Sequence, residues 1–296
     1  MSMETEDKKS LPYTLSPNPY PLVSMFLRSF FIQAGWNYER NQNVGFAFAL
    51  LPALRRAYGA TRRFAPALLR NLEFFNTQPY MAGFILGNVA KMEEKLAAGP
   101  ENEEAIKTAA GVKQALASSF AAIGDRIFWG RLKPMTTQVC LIVWTLGGFY
   151  GWLFTLRPEM PPLWLIMLGP VLGAVIYSVF AVYWRWKGVE LGFECGGASN
   201  CGLEAMNWSR FIRRLSVLCF SFSLIIALAA FALFTAFNSR RYSGPDLALR
   251  LGLPFGVLAV HRVAHKFGRS VFFVIGLLLA ASFFLFWALK PGPFSL

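Results

Sequence analysis

The 296-residue chain is 55% hydrophobic, 16% aromatic and only 15% charged, with a mean hydropathy of +0.42, a balance that excludes an ordinary soluble domain. Its net charge of +13, from 29 basic and 16 acidic residues, is carried by lysines and arginines flanking apolar runs. That placement suits cytoplasmic loops and anionic head groups and does not mark a nucleic-acid binder.

Residues 1–19 carry Glu4, Glu6, Asp7, Lys8 and Lys9 with no apolar run behind them. They read as a cytoplasmic N-terminal tail without a cleavable signal peptide. Residues 24–58 and 64–98 follow helical patterns, with Pro52 and Pro79 as interior breakers. Their apolar runs, Met25-Phe26-Leu27, Phe46 to Leu54 and Tyr80 to Val89, are too short to cross a bilayer independently. Runs of this length imply re-entrant, tilted or protein-buried segments, in which broken helices present polar groups to a substrate.

Two polar blocks interrupt these runs. The first extends from Phe30 through Gly35-Trp36-Asn37-Tyr38-Glu39-Arg40-Asn41-Gln42-Asn43 to Gly45. On a helix, Gln33, Asn37, Arg40, Asn41 and Val44 would share one side, and Trp36, Glu39 and Asn43 the next. An indole beside amides and a carboxylate suits a sugar, whose hydroxyls both donate and accept hydrogen bonds. The same residues suit a subunit-packing helix whose Glu39 and Arg40 pair with a neighbour. In the second block, Phe75-Asn76-Thr77-Gln78-Pro79, the proline pushes the residue before it out of helical geometry. The break leaves backbone groups beside Asn76, Thr77 and Gln78, for substrate or for side-chain capping.

Glu93, Glu94, Glu101, Glu103 and Glu104 surround Gly99-Pro100 and read as a solvated cytoplasmic turn, with a partner-docking patch as the other reading. Asp125, between Gly124 and Arg126, suits an ion pair, a gate element or a helix N-cap. After Pro134 come about five spans of crossing length: Val139 to Leu156, Leu163 to Trp184, Leu215 to Phe237, Leu247 to Ala264 broken by Gly252 and Pro254, and Val271 to Leu289. Loops with Arg131 and Lys133, with Arg185, Lys187, Arg210, Arg213 and Arg214, and with Arg262, Lys266 and Arg269 place the N-terminal half in the cytoplasm. Arg240 and Arg241 run against that orientation.

No residues suggest a self-sufficient catalyst: phosphate-loop, nucleophile-elbow and metal-spaced carboxylate patterns are all missing. His261 and His265 share a helix face, as a metal or phosphoryl pair or as membrane-edge residues in a basic loop. Cys140 and Cys219 read as small core residues, and Cys195 and Cys201 match no usual zinc spacing. No cofactor or metal is expected.

The two polar blocks, with Gly124-Asp125-Arg126-Ile127-Phe128-Trp129-Gly130 after them, resemble the signature of the IID membrane subunits of mannose/fructose/sorbose-type sugar phosphotransferase systems. Those subunits read roughly S-W-N-[FY]-E-R-x-Q-x-x-G, H-x-x-F-F-N-T-x-P and G-[IV]-G-D-x-[IL]-F-W in the same order. The resemblance implies an all-α polytopic inner-membrane protein: a cytoplasmic tail (1–19), a signature region with re-entrant or interfacial helices (20–134) and a transmembrane region (135–296). It implies a hetero-oligomer with a IIC subunit in membrane lipid, moving a sugar that phospho-IIB, itself charged by IIA, phosphorylates on the cytoplasmic side. Trp36, Asn37, Glu39, Asn76, Thr77 and Gln78 are then expected to line or shape the pathway, with Arg40 and Asp125 holding helices or gating. Asn71 stands where the family usually has histidine, and Ala115 to Ala122 replaces its Gly-Pro-Leu-Ala-Gly run. A diverged scaffold or regulatory subunit without transport is the alternative.

Overall fold

Ser29 ends the first helix by turning its hydroxyl back onto the Phe26 carbonyl at 2.6 Å, a local bond that competes with helix propagation. The computed structural model describes residues 20–155, 162–197, 202–203 and 206–289. Among these the ordered elements are helices: α1 (Tyr20–Ser29), α2 (Asn43–Tyr58), α3 (Phe64–Asn71), α4 (Ala82–Ala98), α5 (Glu103–Gly124), a π-helical segment (Asp125–Leu132), α6 (Lys133–Thr155), α7 (Leu163–Cys195), α8 (Trp208–Arg241), α9 (Gly244–Lys266) and α10 (Val271–Leu289).

The expected long helices over 24–58 and 64–98 are broken. Residues 30–42 form consecutive turns and 72–81 are non-helical. Gln33, Asn37, Arg40 and Asn41 therefore share no helix face. Asn41 adopts a left-handed φ of 52°, which asparagine tolerates better than most residues and which a right-handed helix cannot contain. Pro52, by contrast, sits inside α2. Gly59, at φ 55°, ends that helix with its N–H on the Arg55 carbonyl.

The chain divides into two units, residues 1–226 and 227–296. In the first, Phe46, Phe75, Phe84, Phe120 and Phe128 are fully buried in one core drawn from α1, α2, α4, α5, α7 and the start of α8. Phe84 and Phe120 stack with centroids 4.4 Å apart, and Trp184 and Trp208 meet at 5.2 Å. Each such aromatic pair adds about 0.5–1.5 kcal/mol beyond its area burial.

The most extensive packing joins α4 to α7 through glycines. A methyl group at Gly83 would strike the Arg185 carbonyl, at Gly87 the Val189 carbonyl and at Gly192 the Phe84 carbonyl. Small residues on both faces let the backbones touch. Gly169 and Gly173 of α7 do the same against Cys140 and Thr136 of α6.

α7 has 33 residues, about 50 Å at 1.5 Å per residue, and its two halves differ. Leu163, Trp164, Met167, Val171, Val175 and Val179 are exposed, whereas Ala181, Trp184, Arg185, Gly188, Val189 and Gly192 are buried. The first half packs on α6 along one side and leaves an exposed apolar face on the other, and the second half belongs to the core. Arg185 and Lys187, expected in a loop, are helical, as are Arg210, Arg213 and Arg214 in the first turns of α8. In the second unit, α9 runs unbroken through Gly252 and Pro254 and packs on α10.

Three helical stretches among the described residues are long and apolar enough to cross a membrane: Leu163–Cys195, Trp208–Ala236 and Gly244–Lys266. Val271–Phe284 is apolar but shorter. The expected spans Val139 to Leu156 and Val271 to Leu289 end at residues whose side chains lie outside the description.

Candidate functional site

The two polar blocks, about 35 residues apart in sequence, are hydrogen-bonded edge to edge. Asn37 and Asn41 exchange backbone bonds of 3.0 and 2.9 Å, closing a tight turn. The Asn37 side chain holds that turn: its carbonyl accepts from the Arg40 N–H at 2.8 Å and its amide donates to Asn43 Oδ1 at 2.9 Å. The Gln42 N–H then donates to the Phe75 carbonyl at 2.9 Å and the Phe75 N–H to the Arg40 carbonyl at 3.3 Å. The buried Gln42 side chain completes the join, donating to Thr77 O at 3.0 Å and accepting from Thr77 N at 3.1 Å. Asn43 donates to Leu72 O at 2.6 Å.

Helix α5 backs the second block at three points. Lys113 donates to Asn71 O at 3.4 Å, Gln114 to Phe74 O at 2.7 Å, and the Thr77 hydroxyl to Ala117 O at 2.9 Å. Gly45 is required at the first block because any Cβ there would overlap the Ile32 backbone.

The sequence-derived residues thus separate into two groups. Trp36 (47% exposed), Glu39, Arg40 and Asn76 present their side chains outward, and Trp36 packs against Tyr38 at 4.8 Å. Asn37 is half-buried, and Thr77 and Gln78 are buried. Gln78 accepts from the Tyr80 N–H at 2.7 Å, while its Nε2 has no hydrogen-bond partner among the described residues. Arg40 pairs with neighbouring Glu39 at 3.6 Å, both largely exposed, so the Arg40 backbone rather than its charge joins the blocks. Asp125 lies where α5 runs on into the π-helical segment, closing α5 with its backbone N–H on the Ala121 and Ala122 carbonyls and N-capping no helix; its side chain is exposed. Such π-helical insertions occur often at functional sites.

Gln42 is part of the signature but carries no role in the sequence reading, although it makes three of the hydrogen bonds between the blocks. Replacing it with leucine would orphan the Thr77 N–H and carbonyl, at about 1–3 kcal/mol per buried group. Gln42→Leu is therefore expected to lower the thermal midpoint of the detergent-purified chain and to expose the 72–78 segment to protease.

A second polar cluster corrects the reading of Glu93. It lies 3% exposed in α4 rather than in a solvated turn. Its carboxylate accepts from Tyr58 Oη at 2.8 Å, Arg70 Nε at 3.0 Å and Asn71 Nδ2 at 2.7 Å, and also from Arg70 Nη2. Burial, with the Glu93 charge behind it, pushes the Tyr58 phenol up to about 12. Burial opposes the Arg70 charge, but the Glu93 hydrogen bonds and charge outweigh it and raise that group further. Asn71, where the family has histidine, is a working member of this network.

Lys113 is 4% exposed, and its ammonium lies 4.8 Å from the Phe46 ring centroid and 5.8 Å from that of Phe75. Burial pulls its pKa down to about 8, against the pull of Glu73 and Glu93. Between that value and the 10.5 of a free lysine the unfolded chain holds a proton that the folded chain has lost, so stability rises with pH. The thermal midpoint is expected to rise from about pH 8 to 10 in the wild type and to rise less in Lys113→Met. Equal rises would remove Lys113 as the cause.

Arg185 is buried where α7 meets α1. It donates to Ser29 O at 2.6 Å and lies between the Phe30 and Tyr80 rings, with centroids at 4.9 and 5.1 Å. A cation at the C-terminus of α1 complements that helix's dipole and fixes where the first block begins. His261 and His265 lie within α9, their rings 6.3 Å apart. Cys140, Cys195 and Cys219 are free thiols, and Cys201 lies outside the described residues.

Long uncovered apolar helices joined to a bundle whose polar loops are clasped together define a polytopic helical membrane protein. Residues 20–161 match the PTS system mannose/fructose/sorbose family IID component, and this region is similar to that family. The chain is 34% identical over 173 residues to the PTS system mannose-specific EIID component of Escherichia coli K12, covering 58% of this chain and 54% of that one. The chain thus spans about half the length of the curated relative it matches. A solved chain described only as a membrane protein aligns over 86% of this chain and 98% of its own, at 23% identity and a TM-score of 0.53, and shares the fold. A chain of the cryoEM structure of mannose transporter ManYZ with microcin E492 aligns over 90% and 97%, at 26% identity and a TM-score of 0.49.

Proposed function

We propose that the chain is the IID component of a mannose-type phosphotransferase permease and forms the translocation unit with a IIC subunit. The observation that carries this reading is the hydrogen-bonded join of the two signature blocks inside the family-matched region 20–161. A join made by backbone and buried amides leaves other polar side chains free to meet a ligand. Trp36, Glu39 and Asn76 line the pathway, the indole taking a sugar face and the carboxylate and amide its hydroxyls. Asn37 and Thr77 hold the loops in shape, and Gln78 offers the unpartnered amide. Arg40 and Asp125 carry exposed charges suited to pairing with, or gating against, the IIC chain.

In this reading the signature region, 20–134, holds re-entrant or interfacial helices on the cytoplasmic side, after an N-terminal tail in the cytoplasm. Region 135–296 contributes about five spans to the inner membrane. The sugar is phosphorylated by phospho-IIB, supplied by IIA, so this chain is not an enzyme by itself and uses no cofactor. The relatives' family covers mannose, fructose and sorbose systems, so the sugar class proposed is hexose-like.

Co-expression with a IIC chain, and purification through a tag on this chain, tests the proposal. A stable complex that binds one of these sugars supports it. A stable complex that binds none of them supports the scaffold alternative, and failure to associate overturns the permease reading.

A further inference from the structure

Buried ammonium groups ordinarily satisfy three donors, yet Lys113 makes one hydrogen bond among the described residues, a long one of 3.4 Å to Asn71 O. Its ammonium also lies against the faces of Phe46 and Phe75, and among the described residues it forms no ion pair within 4.0 Å. Beside it lies a cavity of about 140 Å³ between α3, α4 and α5, with Val89, Met92, Ile106 and Ala109 among its apolar walls. The charged groups facing it are Arg70, Lys107, Lys113, Glu73 and Glu93.

Arg70 and Glu93 satisfy each other, and Lys107 and Glu73 stand exposed at the mouth. Lys113 is therefore the buried lining cation with no ion-pair partner within 4.0 Å among the described residues, Glu73 and Glu93 acting on it only from farther away. A void of this size resembles those that accept a six-carbon ring, so it takes a ligand of about five or six heavy atoms and excludes a nucleotide.

We propose that this cavity binds a small oxyanion of phosphate or short-chain carboxylate chemistry, held by the Lys113 ammonium. The anion supplies the missing acceptors, and it exchanges with solvent through the mouth between Glu73 and Lys107. Charge-assisted bonds to a buried ammonium are the strong kind, and the apolar walls favour a carboxylate with a short alkyl tail over a fully hydrated ion. This site is separate from the outward-facing side chains assigned to sugar and stands whether or not the permease reading holds.

The test is acylation of Lys113 in the full-length purified chain, read by peptide mass spectrometry, with added inorganic phosphate, acetate or chloride at one ionic strength. Labelling is expected to slow about elevenfold at an anion concentration ten times its Kd, by mass action, with phosphate or acetate and not with chloride. Protection by phosphate alone assigns an inorganic or ester phosphate; protection by acetate assigns a carboxylate. In parallel, the effective anion is expected to raise the thermal midpoint saturably in the wild type and not in Lys113→Met. Equal labelling in all three salts overturns the proposal and leaves a water-filled cavity. An equal midpoint shift in the two proteins also overturns it. Should Lys113→Met fail to fold, the labelling of the wild type decides alone.

Discussion

Replacing Glu93 by glutamine is expected to destabilise the chain by about 3–5 kcal/mol, the cost of removing one partner from a buried ion pair. The carboxylate gathers donors from Tyr58, Arg70 and Asn71, drawn from α2 and α3 onto α4. An amide keeps the shape but offers only one acceptor oxygen, and it leaves the Arg70 guanidinium, whose side chain is 19% exposed, without a counter-charge. Denaturant unfolding in detergent reads the loss. The double variant Arg70→Met with Glu93→Gln is expected to be less destabilised than the sum of the two single changes, because the orphaned charge is gone. Simple additivity would mean that the pair contributes no coupling and that the loss comes from packing.

Gly192→Val is expected to cost near the upper end of the range of about 1–3 kcal/mol typical of overpacked cores. The added carbons have no flexible neighbour to displace, since they would meet the Phe84 carbonyl and the Asn88 N–H of α4. Separating α4 from α7 also moves Tyr80 and Arg185, and with them the end of α1 where the first signature block starts. Gly252→Val in α9 is the control: nothing lies within 4 Å of a Cβ there, and its effect should stay within the small change of helix propensity. Comparable losses in both variants would show that the α4–α7 seam is not special.

The legible part of this molecule was what depends on neighbours in sequence. Long apolar runs announced α7, α8 and α9, and the signature residues announced the region that matches the IID family. Contacts between distant residues were not legible. Helical periodicity continued through residues 30–42, but the Asn37 to Asn41 exchange and the left-handed Asn41 break the helix there. Glu93 sat among acidic neighbours and looked solvated, because its partners Tyr58, Arg70 and Asn71 lie 22 to 35 positions earlier. Arg185 looked like a loop cation for the same reason, its acceptor Ser29 being 156 positions away. The family pattern marked two segments that the fold joins by hydrogen bonds. Which of their side chains turn inward, as Gln42, Thr77 and Gln78 do, depends on the clasp between the segments, which no local pattern encodes.

The outward-facing group makes the central claim directly testable, since Trp36→Ala and Asn76→Ala remove exposed side chains and leave the clasp intact. The deciding measurement is sugar binding by the complex with the IIC chain, wild type against these two variants, with complex yield and thermal midpoint recorded alongside. Binding lost in both variants while yield and midpoint stay unchanged is the result this account predicts. Undiminished sugar binding in both variants would contradict it, and would place the pathway away from the joined signature blocks.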